Sequence, residues 1–127
     1  MNPPVPAVMA ELAGLLMKNA MPDVPQPERA SDLSLSAMLL VVAGEIWDRQ
    51  AHILVEENRA VRGLLGEVGE DSDLHIPALQ AENNRLRAAL IVAQAAAEVA
   101  GDLARQEDIW AELVAATERR KLSMAPV

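Results

Sequence analysis

Asp48, His52 and Glu56 stand four residues apart, so on a helix they share one face, and two carboxylates flanking an imidazole at that spacing suit a divalent cation. A solvated helix face carries the same kind of ladder, its charges pairing among themselves. No second helix offers the carboxylate-plus-histidine set from which bundle metal sites are built. The expectation is a wet face and no metal. His75 beside Asp71 and Asp73 is a second cluster. It lacks the regular oxygen ligands and central glycine of a calcium loop, and it reads as a capping turn.

Composition removes most other chemistry. The 127 residues contain no Cys, Tyr or Phe and two Trp, which excludes disulfides, thiolate nucleophiles, thiolate metal sites and tyrosine acids. There is no glycine-rich phosphate loop, no Gly-x-Ser-x-Gly, and no histidine near a nucleophile in sequence. We therefore expect no enzyme activity and no cofactor. Nineteen acidic against eleven basic residues give a net charge of -8, which repels nucleic acid and anionic membranes. The run Arg119-Arg120-Lys121 is too short to reverse this and suits a helix C-terminus.

The first residues lack the basic start of a secretory signal, and Glu11 interrupts the apolar stretch that follows, so a cytoplasmic chain is expected. The longest uncharged apolar run, 33–44, is about 12 residues where a span needs about 20, so no membrane crossing is expected.

Proline and glycine divide the elements. A short helix over 5–20, carrying Val8, Leu12, Leu15 and Leu16, ends before Met21-Pro22. Pro22, Pro25 and Pro27 make 21–32 a linker, with Ser31, Asp32 or Ser34 as the N-cap of a long second helix. From about Ser34 to Val68 that helix extends roughly 50 Å. Gly66 and Gly69 close it, and Pro77 opens a third helix reaching Lys121, which Gly101 and Asp102 either kink or divide. The short turn makes these two helices antiparallel neighbours. The fold expected is all-α: a single domain, 1–127, with a long antiparallel helical hairpin over 33–121 and a short N-terminal helix. Dimerisation completes the bundle.

Dimerisation is expected from the width of the second helix's apolar arc. Leu33, Leu40, Trp47, Leu54, Val61 and Val68 form one row, Leu39, Ile46, Ile53 and Ala60 a second, and Ala43, Gly44, Ala51 and Leu65 lie on the other flank. Together they cover roughly 200°, twice what one partner helix needs. The third helix covers one side, with Ala96, Ala97, Ala100 and Gly101 leaving room for Trp47. The first helix is too short for the rest, so a second copy of the chain is expected there. Leu40, Trp47, Leu54 and Val61 are then core or dimer seam, and Ile46 and Ile53 close its second side. If Trp47 is core, Trp47→Ala costs about 3 to 5 kcal/mol.

A repeat bears on the same question. Leu54-x-x-Glu57-Asn58-x-x-Val61-Arg62-x-x-Leu65 recurs 25 residues later as Leu79-x-x-Glu82-Asn83-x-x-Leu86-Arg87-x-x-Leu90. Glu and Arg five apart are the flanking charges of a parallel coiled coil, which an intrachain antiparallel hairpin is not expected to use. The repeat therefore reads either as a chain-to-chain zipper or as ordinary amphipathic helix with solvated charges. Asn58 and Asn83, if buried, need partners and fix register. Trp110 with Leu103, Leu113 and Val114 forms a distal stripe for the first helix or an external one, and Met9, Met17, Met21, Met38 and Met124 serve as core filling or adaptable docking surface.

The functional expectation is a non-enzymatic helical-bundle protein, homodimeric, acting on an unidentified protein partner as adaptor, chaperone or scaffold. The alternative is a small-ligand-binding or accessory regulatory subunit, with a cavity lined by the Ala and Gly surface from Ala93 to Ala104.

Overall fold

The computed structural model describes residues 4–20 and 27–123. Of these, 86% are helical, and no strand occurs among them; the fold is all-α with four helices. They are α1 (Val5–Leu15), which continues into a π-helical turn over Leu16–Ala20, α2 (Pro27–Leu65), α3 (Ile76–Ala100) and α4 (Leu103–Arg120). The described residues form two compact units, one up to Arg49 together with Leu122 and Ser123, the other Gln50–Lys121. The N-terminal part of α2 belongs to the first and its C-terminal part to the second.

In the first unit, Pro4 presents its carbonyl to the amides of Ala7 and Val8, and Pro6 sits in the opening turn, where its missing N–H costs nothing. Small residues set how closely α1 and α2 approach. A methyl group at Gly44 would lie 3.3 Å from the Cα of Pro6 and 3.5 Å from the Cβ of Met9. Ala13 and Ala37 are fully buried in the same unit. Ala37 and Gly44 are seven residues apart and so mark one face of α2.

That helix begins earlier than the sequence suggested. Pro27 takes the first turn, with Glu28 close behind it, a favourable charge at the positive end of a helix. Residues 27–32 are thus helical rather than linker, and 21–26 lie outside the described residues, as do Met21 and Met124. Ser31, Asp32 and Ser34 are not caps. Ser34 and Ser36 lie within the helix and donate back to the carbonyls of Ala30 and Asp32 at 2.9 and 2.8 Å, which satisfies their hydroxyls without ending it. Counting only uncharged residues understated how apolar α2 is. It contains an 18-residue stretch of mean hydropathy 1.4, of which 11% is buried, and by length and composition alone it is long enough to cross a membrane.

In the second unit, α2 closes at Gly66 with φ 70°, where Glu67 N–H reaches Arg62 O at 3.0 Å and Gly66 N–H reaches Gly63 O at 3.3 Å. The same paired closure ends α3 at Gly101: Asp102 N–H to Ala97 O at 2.9 Å and Gly101 N–H to Glu98 O at 3.2 Å. Asp102 then caps α4 through the amide of Arg105 at 3.0 Å. The expected third helix is therefore two helices, and the hairpin becomes three helical segments: the end of α2, α3 and α4. Their apolar centre is Val61, Leu86, Leu90 and Ile109, with Leu64, Leu65 and Ala93 packed against it.

Two expectations about Trp47 are corrected. Gly101 is glycine because its φ of 66° is left-handed, and no atom lies within 4 Å of where a Cβ would stand, so it makes no room for an indole. Trp47 itself is 63% exposed. Trp47→Ala is accordingly expected to change the stability of the dilute chain by less than about 1 kcal/mol in urea denaturation, not by a core-sized amount. A loss above about 3 kcal/mol would restore the core assignment.

Candidate functional site

The two copies of the repeat meet inside one chain. α2 and α3 run antiparallel, and the Glu of each copy pairs with the Arg of the other: Arg87 Nη2 to Glu57 Oε2 and Arg62 Nη2 to Glu82 Oε1, both at 2.9 Å. Between them Asn83 Nδ2 donates to Asn58 Oδ1 at 3.0 Å. The arrangement has a local pseudo-twofold axis through the two asparagines. Glu and Arg five apart therefore do serve an antiparallel pair, because inverting one copy brings its Glu beside the other's Arg. The chain-to-chain reading of this repeat is corrected, and its charges pair across the two helices instead of standing alone in solvent.

Further bonds complete the polar layer. Glu57 is fully buried and also accepts from Asn83 Nδ2 at 3.2 Å and from Arg120 Nε and Nη2 of α4, each at 2.6 Å. Asn83 Oδ1 accepts from Arg87 Nε at 3.1 Å. Asn58 Nδ2 donates to Leu79 O at 3.3 Å and to Asp71 Oδ1 at 3.1 Å, and Arg62 Nη2 reaches the same Asp71 oxygen at 2.7 Å. Three carboxylates and three guanidiniums thus bind three helical segments and the α2–α3 connection at one level. Sequence reasoning singled out Asn58 and Asn83 and quoted Glu57, Arg62, Glu82 and Arg87 in the repeat, but missed their pairing within one chain and the part of Asp71 and Arg120 in it. Inverting one copy of the repeat against the other was the signal that would have found the pairing.

Electrostatics follow the geometry. Burial pushes the Glu57 carboxyl up, but the hydrogen bonds of Arg120 and then Arg87 more than reverse this and hold it below its usual range. Glu82 is brought down to about 2, chiefly by Arg85, with burial opposing and Arg62 assisting. A carboxylate whose folded pKa is depressed stabilises the fold above its unfolded value, near 4.5, and loses that stabilisation as pH falls toward its folded value. The urea midpoint is therefore expected to hold steady from pH 7 to about 5 and to fall between about 4.5 and 2. Glu82→Gln should flatten that fall, and an unchanged slope would disconnect it from this carboxylate.

The remaining predicted residues divide by burial. Leu54, Ile53, Val61, Leu86 and Leu90 are buried, and Leu65 packs against the apolar centre. Leu40 is half-buried, while Ile46, Trp47 and Trp110 are exposed. His52 Nε2 stands 3.6 Å from Glu56 Oε1, and Asp73 accepts from the backbone amide of His75 at 2.9 Å and lies 2.6 Å from its Nδ1. Among the described residues no group of three or more His, Cys, Asp or Glu is placed to hold a metal ion.

Among the described residues, two apolar surfaces bear on binding. On the first unit, Leu35, Leu39 and Ile46 are 49%, 54% and 41% exposed, with Val42 half-buried beside them. Each lies two residues from Ala37 or Gly44, about 200° around the helix from the face that α1 approaches. On the second unit, a groove of about 370 Å³ between α3 and α4 is lined by Arg87, Leu90, Ile91, Gln94, Ile109 and Leu113. Gln94 donates to Glu98 at 2.8 Å, and its Oε1 is buried without a hydrogen-bond partner. Of the stretch Ala93 to Ala104, expected to line a cavity with its Ala and Gly residues, only Gln94 borders this groove. Comparison with known proteins returns no matching family model, no matching curated protein and no matching solved structure.

Proposed function

We propose that this is a non-enzymatic cytoplasmic protein that works through self-association and protein–protein contact, as an adaptor, chaperone or scaffold does. The observation that carries the reading is the row of exposed Leu35, Leu39 and Ile46 with half-buried Val42, on the side of α2 away from α1. A stripe of large aliphatic side chains along a helix gains about 25 cal/mol for each Å² removed from water, which favours a helical partner over solvent. The buried polar layer supports the same reading from the other side. Its groups satisfy one another within the chain, which suits a scaffold more than a reaction centre.

The test is light scattering coupled to size exclusion across a wide concentration range. A dimer that dissociates on dilution, and fails to form in Leu39→Ser, is expected; a monomer throughout would remove the self-association reading. A second reading, a small-ligand-binding or accessory regulatory subunit, rests on the α3–α4 groove and its orphaned Gln94 oxygen. Thermal shift with a panel of short apolar amides and alcohols, which can donate to that oxygen, is its test.

A further inference from the structure

We infer that the uncovered face of α2 is the seat of a second copy of this chain, laid antiparallel in one register. The inference deepens the self-association reading and rests on it. The face consists of Asp32, Leu35, Leu39, Val42, Ile46 and Arg49, with spacings of three, four, three, four and three. That is the alternation of a helix–helix seam, and the order of spacings is the same from either end. Its ends are of opposite charge. Inverting a second helix about the point midway between Leu39 and Val42 sets Leu35 against the partner's Ile46 and Leu39 against the partner's Val42. At both ends it also sets Asp32 against the partner's Arg49. A parallel partner instead opposes Asp32 to its own copy and Arg49 to its own copy. Arg49 also pairs with Glu45 on its own helix, and Glu45 accepts from Ser123. Its guanidinium has five N–H donors, so an existing pair does not by itself bar a second carboxylate.

A bilayer fits the face less well. The 18-residue apolar stretch of α2 includes no more than two charged residues, but Asp32, Glu45, Ser31, Ser34 and Ser36 fall around the helix rather than along one polar strip. Lipid would meet those groups on several sides, whereas a partner helix covers only the aliphatic stripe and matches its charged ends.

The chain has no cysteine, so single labels can be placed cleanly. Arg29→Cys and Ala43→Cys, at exposed sites flanking the stripe, each receive a nitroxide, and the label-to-label distance within the dimer is read by pulsed electron paramagnetic resonance. In the antiparallel register, position 29 lies about 23 residues of axial rise from its copy, about 35 Å, while position 43 lies within about 10 Å axially of its copy. A long distance at 29 with a short one at 43 is the expected result. Short distances at both positions would overturn the antiparallel assignment while leaving self-association intact. In parallel, Asp32→Arg is expected to raise the dimer dissociation constant about tenfold, and adding Arg49→Glu to it is expected to restore most of the affinity. No change in Asp32→Arg would overturn the register. A monomer at every concentration, including one that floats with neutral phosphatidylcholine vesicles, would overturn this inference and the self-association reading together.

Discussion

Glu57→Ala is expected to lower the unfolding free energy by about 3 kcal/mol, measured by urea denaturation at pH 7. The carboxylate is fully buried and receives four hydrogen bonds, two from Arg120, one from Arg87 and one from Asn83. Removing it leaves two guanidiniums and an amide facing an apolar methyl. Breaking a buried pair costs about 3 to 5 kcal/mol, and the lower end is expected because Arg87 and Arg120 are already 32% and 47% exposed and can turn to water. The loss should be uneven. Arg120 is the last residue of α4, so its release frees the end of that helix, and amide exchange over the final turns of α4 should speed up before that of α3. Glu57→Gln keeps an acceptor oxygen and should lose less. A change below about 1 kcal/mol in Glu57→Ala would mean that the layer is solvated and contributes little.

This layer also marks where the sequence was legible and where it was not. The all-α class, the closure of the second helix by glycine and the place of Pro77 in the first turn of α3 follow from local signals, whereas α2 ends at Leu65 rather than near Val68 and the burial of Asn58 and Asn83 was open in the sequence. The repeat was visible as well, but its use was not. Heptad charge rules are written for parallel coils, and the same Glu-x-x-x-x-Arg spacing becomes complementary in an antiparallel pair once each helix carries its own copy. The division at Gly101 is open in the sequence because a central glycine is compatible with either a kink or a stop. The aspartate that follows it supplies the cap for a new helix and decides for the stop. The core place offered to Trp47 fails for a different reason. A row at seven-residue spacing shows that side chains share a face, but not which face a neighbour covers, and here the small residues Ala37 and Gly44 mark the covered one.

The apolar and polar parts of the second unit divide the labour. Val61, Leu86, Leu90 and Ile109 supply non-directional stabilisation, which by itself would tolerate sliding of one helix along another. The paired asparagines and crossed Glu–Arg pairs fit one alignment, since a shift of one turn would separate every donor from its acceptor. The polar layer thus selects one packing among those that the aliphatic centre alone would accept.

Arg62→Ala is the second large effect expected, about 3 kcal/mol in the same assay. Arg62 is buried and neutralises two carboxylates, Asp71 in the α2–α3 connection and Glu82 on α3. Its loss leaves Asp71, whose side chain is also buried, with only the Asn58 amide as a partner, so the connection between the helices should detach. Faster amide exchange across 66–75 than across the helices on either side would report that detachment. Arg85→Ala provides the contrast. Arg85 also joins two carboxylates, Glu67 and Glu82, but from an exposed position, and its removal should be felt much less. Pairing Arg62→Met with Asp71→Asn should recover most of the loss, because the new amide carries no buried charge and its oxygen still accepts from Asn58. Equal losses in Arg62→Ala and Arg85→Ala, or no recovery in the double variant, would mean that burial of this charge pair does not set its energetic weight.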